Sequence, residues 1–268
     1  MSVETAWLDR WLATNPLPLS KEHPCAYLQD RLARSRAFSV KELPPGVYRH
    51  LLDRNFRRSG HVIYQPACDG CTECRQIRIP VAQFRLSRSL TRVWKANRDV
   101  EVEVASPVPT REKWRVFRDY LTGRHDGTMS GTWEEYVEFL YQSPVDTLEI
   151  TYRIGGRIMA VSLADRFDDA LSSVYVYFDN RDARRSPGTY SALWEIDYAR
   201  RISLDYYYLG YYVAGADSMS YKSRFRPHEL LASDGRWESI SSNSARLAGL
   251  DAGPARREAV SPYAENSE

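Results

Sequence analysis

The sequence has no apolar run approaching the roughly 20 residues that cross a bilayer. Its opening stretch, MSVETAWLDRWLATNP, carries Glu4, Asp9 and Arg10 where a secretory leader would be apolar. Those absences set the expectation of a soluble, cytoplasmic protein with no membrane partner. Cysteine is scarce, four residues in 268, and in a reducing compartment such thiols point to free sulfurs or metal ligands rather than disulfides. There is no G-x4-G-K-[ST] phosphate loop, which argues against a nucleoside triphosphatase. Neither a G-x-S-x-G elbow nor a Ser-His-Asp order occurs, so a covalent serine mechanism has no support.

What is present suffices for a core. An apolar content of 43% and seven tryptophans exclude a disordered chain. The length suits one large or two small domains. Net charge is only +2 but unevenly placed: Arg31 to Arg98 holds fifteen Lys/Arg against four acids, and the remainder is acidic. A basic block that mixes arginine with aromatic residues suggests a polyanionic partner, because neutralised phosphates release condensed counterions. The solvated face of an ordinary domain gives the same count.

Residues 1 to 24 read as a helical lead-in closed by Pro16 and Pro18. In PPGVYRHLLDRNFRRSG, Val47, Leu51, Leu52 and Phe56 recur near helical spacing, which predicts a helix with Arg57 and Arg58 in its last turn. HVIYQP and CRQIRIPV read as short strands flanking a cysteine loop, LSRSLTRVWKANRD as a short helix or structured loop, and VEVEVA as a half-buried strand. After Pro107, TREKWRVFRDYLTGRH and TWEEYVEFLYQS read as capped helices, the second with Thr132 and Glu135 at capping-box spacing. TLEITYRI and RIMAVSLADRF, joined by Gly155-Gly156, predict a hairpin. LSSVYVYFD reads as a third strand, GTYSALWEIDYARRIS as a helix and DYYYLGYYV as a last strong strand.

The expected organisation is a basic N-terminal domain with the cysteine loop over 1–105, a C-terminal domain over 106–240 and a flexible tail over 241–268. The fold class is α+β. The order of the second half, helix, helix, three antiparallel strands, helix, strand, is similar to the acyl-transfer fold of GNAT acetyltransferases, a mixed antiparallel sheet with helices. The smaller, cysteine-containing first domain is expected to be GNAT-related.

Two segments carry candidate chemistry. Cys68, Cys71 and Cys74 stand as C-x2-C-x2-C, and Cys25 adds a fourth sulfur. Three thiols at this spacing can converge within a tight loop, so the set suits a structural zinc ion or an iron–sulfur cluster. Four small residues buried under a loop are the alternative. In YLGYYVAGADSMSYKSRFRPHELL, a tyrosine-rich strand runs into Tyr221, Lys222, Arg224, Phe225 and Arg226. Hydroxyls and cations together suit the sugar, phosphates and stacked bases of a single-stranded RNA end. An aromatic core strand followed by a basic loop reads equally well.

The set PCAYL, FRRSG, YQPACDGCTECRQIRI, SRSLTRVWKAN, DDALSSVYVYFD, GTYSALWEI, YYLGYYV and MSYKSRFRPHELL resembles the aminoacyl-tRNA–protein transferases over about residues 24 to 238. These are the eukaryotic arginyltransferases and the shorter bacterial aspartate/glutamate leucyltransferases, whose length and C-x2-C-x2-C form this chain shares. Two departures stand out: Leu28 where the eukaryotic members usually have a second cysteine, and a proline in RRSPGTY where leucine is commoner.

The resemblance implies transfer of an amino acid from charged tRNA to the α-amine of proteins that begin with Asp or Glu, marking them for N-end-rule degradation. Leucine is the favoured donor and arginine the alternative; no cofactor is required for the chemistry. It also implies roles for residues. Arg57 and Arg58 would read the acceptor carboxylate, with Tyr27 and His61 beside them. Arg92 and Lys95 would meet the tRNA acceptor stem or its terminal phosphate, and Tyr221, Lys222 and Arg226 would hold the 3′ end. His228 and Asp168 are candidates for a general base. The rival from another class is a non-catalytic, zinc-organised RNA-binding protein. An acetyl-CoA enzyme fits poorly, because RRSPGTY offers one glycine where a pyrophosphate loop needs several.

Overall fold

Helix caps and strand alternation put most elements where the sequence expects them. The structure, a computed structural model, describes residues 3–124 and 131–240; the tail read over 241–268 lies outside the described residues. Helix α1 (Val3–Thr14) precedes the proline break, and β1 (His23–Pro24) pairs with β2 (Leu32–Ala33) in a short clip. A three-stranded sheet follows in the order β3 (Ser35–Ser39), β5 (Val62–Pro66), β4 (Arg57–Ser59), with α2 (Val47–Leu52) between β3 and β4 in the chain.

The large sheet has eight strands. From one edge they are β13 (Trp237–Ile240), β12 (His228–Leu231), β6 (Arg75–Pro80), β11 (Tyr206–Tyr212), β10 (Ala170–Phe178), β9 (Arg157–Arg166), β8 (Thr147–Ile154) and β7 (Glu101–Ala105). Every neighbouring pair is antiparallel except β10 and β11, which are parallel and joined through α6 (Pro187–Arg201). Helices α3 (Arg88–Ala96), α4 (Arg111–Arg124) and α5 (Trp133–Tyr136) complete the set. The expected caps form: Thr132 Oγ1 accepts from the Glu135 N–H at 3.2 Å and Thr110 Oγ1 from the Lys113 N–H at 3.3 Å. Gly155 and Gly156 make the β8–β9 turn, both at positive φ, as a two-residue hairpin requires.

Two cores hold the elements. Ile150, Tyr152, Val161, Leu193, Ile196 and Tyr207 belong to the larger, between the sheet and α6. Within it the Glu195 carboxyl is 1% exposed and accepts a hydrogen bond from the Tyr207 hydroxyl at 2.8 Å; burial pushes its pKa up to about 7. The smaller core joins α1, α2 and the small sheet to Tyr208 through Leu8, Leu51, Phe56 and Ile63. Among the described residues no helix is long and apolar enough to cross a membrane.

The large sheet draws on both sides of residue 105: β6 lies between β11 and β12, and β7 pairs with β8, so the first 105 residues contribute two strands to it. One expectation needs correction. Arg57 and Arg58 are not in a helix. The helix ends at Leu52, Asn55 takes a left-handed φ of 64°, and the chain re-enters as β4, with Arg57 opposite Tyr64 and Arg58 opposite Ile63. Strand alternation then sends the two guanidinium groups to opposite faces.

Candidate active site

The parallel pair opens soon after it begins. β10 and β11 share only the partners Ala170–Tyr206, Leu171–Tyr207 and Ser172–Tyr208, although they run on to Phe178 and Tyr212. Past that point β10 continues against β9 and β11 against β6, each with a register shift, at Ser173/Tyr175 and Tyr208/Tyr211. Bulges of this kind re-aim strands, and here they part the inner edges of both. Gly210 lies inside the β11 irregularity at φ +87°, a conformation L side chains rarely adopt.

Arg57 projects from β4 into this opening. Its guanidinium donates to Ser172 Oγ at 3.1 Å and to the Ser173 carbonyl. Lys222, from the 3-10 segment Asp217–Arg224, reaches the same place and donates to the Tyr211 carbonyl at 2.6 Å. The two cations meet over Gly210: a Cβ there would lie 3.5 Å from Lys222 Nζ and 3.6 Å from Arg57 Cζ. Arg57 and Lys222 are each 7% exposed, and among the described residues no carboxylate lies within ion-pair distance of either. Burial, then the neighbouring Arg57 charge, pulls Lys222 down to about 7. Tyr64 and Tyr211 pack edge to face, centroids 6.3 Å apart, and burial raises both phenols, so they stay neutral beside Arg57.

Arg58 is differently engaged. Its Nε and Nη2 donate to the two oxygens of Asp165 at 2.8 and 2.6 Å, with side chains 1% and 0% exposed. Nη2 also donates to Thr147 Oγ1. Its guanidinium is closed by a carboxylate of the chain itself, which removes it from the pair expected to read the acceptor. His61, in the β4–β5 turn, is half-buried with Nδ1 lacking a hydrogen-bond partner. Tyr27 is half-buried on the β1–β2 loop. Arg92 and Lys95 are exposed on α3. Tyr221 and Arg226 are half-buried beside Lys222 in the chain. Neither candidate base is at the opening: Asp168 is exposed in the turn before β10, and His228 is buried on β12, donating from Nδ1 to the Phe225 carbonyl, its pKa lowered by burial.

The four cysteines gather beside the small sheet. Burial, and then Cys68, Cys25 and Cys71 close by, push the Cys74 thiol up to about 12. Cys68 Sγ accepts from the Arg34 N–H at 3.4 Å and donates to the Arg34 carbonyl at 3.5 Å, and Arg31 donates to Cys71 Sγ at 3.5 Å. Among the described residues no group of three or more stands at metal-holding geometry. Asn55 ties this loop to the opening: its amide donates to the Cys74 carbonyl at 2.7 Å, and its own carbonyl accepts from the Tyr211 hydroxyl at 2.8 Å. Sequence reading missed Gly210, Ser172, Tyr64 and Tyr211. A lone glycine inside a tyrosine strand was the available signal, since it marks a bulge or a close approach.

A mixed α+β sheet whose one parallel pair parts, with two buried cations at the parting, makes a candidate ligand site. Two family profiles match the chain: Arginine-tRNA-protein transferase, N terminus, over residues 23–92, and Arginine-tRNA-protein transferase, C terminus, over residues 112–232. A protein of Hahella chejuensis named aspartate/glutamate leucyltransferase is 38% identical over 216 residues, 80% of this chain and 92% of its own length. One of Nitrosococcus oceani with the same name is 41% identical over 225 residues, 82% and 93%. The chain belongs to the aminoacyl-tRNA–protein transferase family. Among solved structures, FemX aligns at TM-score 0.45 and 12% identity, over 80% of this chain and 74% of its own. A GCN5-related N-acetyltransferase of Kribbella flavida aligns at 0.36 and 13%, over 73% and 66%.

Proposed function

We propose that this enzyme transfers leucine from charged tRNA to the α-amine of proteins beginning with Asp or Glu, and that Arg57 reads the acceptor's side-chain carboxylate. The observation that carries the residue assignment is a buried guanidinium without an anion. Desolvating a charge is costly unless it is paired, and a bound carboxylate would supply the missing partner with a charge-assisted, bidentate geometry. The chemistry asks little else of the protein. The ester is already activated, so the site must align a neutral amine with the carbonyl and stabilise the oxyanion.

Leucine suits the opening because neither strand presents an acid beyond the fork. β10 continues as Val174, Tyr175, Val176, Tyr177 and Phe178, and β11 as Leu209, Gly210, Tyr211 and Tyr212. An arginyl side chain would need a carboxylate there; an isobutyl group needs only apolar walls. Arg88, Arg92 and Lys95 recur at four- and three-residue spacing on the exposed side of α3, without ion pairs among the described residues, and form a ridge for acceptor-stem phosphates. Cys25, Cys68, Cys71 and Cys74 would hold a zinc ion or an iron–sulfur cluster, whose part is to fix the loop rather than to enter the reaction. The test is transfer of labelled amino acid from separately charged Leu-tRNA and Arg-tRNA to peptides beginning with Asp, Glu or Asn. Leucine transfer to the Asp and Glu peptides alone is expected. Arginine transfer would overturn the donor, and equal use of the Asn peptide would overturn carboxylate reading.

A further inference from the structure

We propose that Lys222 is the catalytic base, taking a proton from the acceptor's α-ammonium as that amine approaches the ester. The inference rests on the acceptor site described above and adds a role that neither a binding contact nor an RNA grip provides. Its ground is geometric. Lys222 Nζ hangs over Gly210 at the parted end of β11, beside the guanidinium that holds the acceptor, and uses one of its donors on the Tyr211 carbonyl. An acceptor residue with its side chain on Arg57 has its own α-nitrogen a few bonds away, on the scale of the separation between the two cations.

The groups facing Lys222 favour an uncharged amine. Arg57 on β4 is the charged neighbour, and the Tyr64 and Tyr211 phenols beside Arg57 are neutral and add no negative charge. No carboxylate among the described residues stabilises an ammonium there. With its pKa pulled to about 7, the lysine is half free base near neutrality, a little below an ordinary α-amine at about 8. Binding of the acceptor carboxylate offsets the Arg57 charge and so strengthens the base. An acceptor without that carboxylate leaves the base weak, which makes proton transfer part of selectivity.

The step balances. The α-ammonium gives one proton to the Lys222 amine, leaving a neutral α-amine and a lysine ammonium. The amine lone pair forms the new C–N bond while the carbonyl π pair moves to oxygen. On collapse that pair returns, the bond to the tRNA 3′ oxygen breaks with its electrons, and the second proton of the attacking nitrogen passes to that oxygen. Lys222 then releases its proton to solvent.

The experiment compares full-length wild type with Lys222→Met and Lys222→Arg, reading leucylated Asp-peptide from Leu-tRNA. Both variants should lose about 10²- to 10⁴-fold in kcat, with KM for peptide and tRNA within a few-fold and unchanged melting temperatures. Ethylamine added to Lys222→Met should restore peptide leucylation in proportion to its free-base concentration. A structural role would not respond to ethylamine. Lys222→Arg retaining near-normal kcat, a loss confined to KM, or no rescue in a folded Lys222→Met would each overturn the assignment. A wild type that leucylates no Asp-peptide at all would instead remove the acceptor reading beneath it.

Discussion

Replacing Arg58 tests the division of labour between two adjacent arginines. The Arg58–Asp165 pair is bidentate, with side chains 1% and 0% exposed, and it bridges β4 to β9. Truncating Arg58 to Ala leaves a carboxylate in a place without water. Breaking a buried pair from one side costs about 3 to 5 kcal/mol, against a total stability of about 5 to 15. For a chain of this size each kcal/mol lowers the melting temperature by about 2 to 4 °C, so a fall of about 6 to 20 °C is expected. Differential scanning calorimetry, with urea titration as a second probe, measures it. A double variant, Arg58→Met with Asp165→Leu, should recover most of the loss, because apolar replacements of both partners leave no orphaned charge. In surviving Arg58→Ala at low temperature, KM for Asp-peptide should stay near wild type. A variant with normal melting and a strongly raised peptide KM would refute the reasoning and return Arg58 to the acceptor site.

Arg57→Ala should instead raise the peptide KM by tens to thousands of fold, equivalent to about 2 to 5 kcal/mol, with tRNA affinity nearly unchanged in filter binding. Affinity for charged tRNA should fall steeply with salt, and Arg92→Ala and Lys95→Ala should each flatten the log–log slope by about one unit. Glu195 binds its proton more tightly folded, near 7, than an unfolded carboxyl near 4.3, so stability should decline as pH rises between those values and level off above. That decline amounts to about 4 kcal/mol, and Glu195→Gln should abolish it in denaturation curves run from pH 4 to 9. Anaerobically purified protein should carry about one zinc ion or cluster per chain by elemental analysis, and Cys71→Ser should lose it along with thermal stability, since metal-binding energy is folding energy.

Much of the fold was legible because its signals are local. Alternation in VEVEVA, the Gly155-Gly156 turn and the threonine caps each depend on a few neighbouring residues, and each appears where expected. The site was legible as a set of residues rather than as an arrangement. FRRSG reads as a helix end because β4 has three residues, too few for a period-2 pattern to declare itself. Its two arginines look interchangeable until strand pairing turns them apart, one to Asp165 and one to the fork. Lys222 reads as one cation of a basic loop suited to an RNA end because lysine is almost never fully buried unpaired. Only the fold reveals that a 3-10 segment carries it under β11. The sharing of the large sheet across residue 105 was illegible for a related reason: hydrogen bonding between β6 and strands far along the chain leaves no mark in composition.

That interleaved strand also bears on how the protein is made. β6 is complete at Pro80, but its partners β11 and β12 begin at Tyr206 and His228. On a ribosome adding about 5 to 20 residues per second, the strand waits on the order of 6 to 30 seconds for them. During that wait the apolar Ile77 and Ile79, wholly buried in the finished molecule, have nothing to pack against. Both edges of the strand are open to pairing with another nascent chain. Expressing either half alone should therefore give aggregates, and supplying the complementary half during synthesis should prevent them.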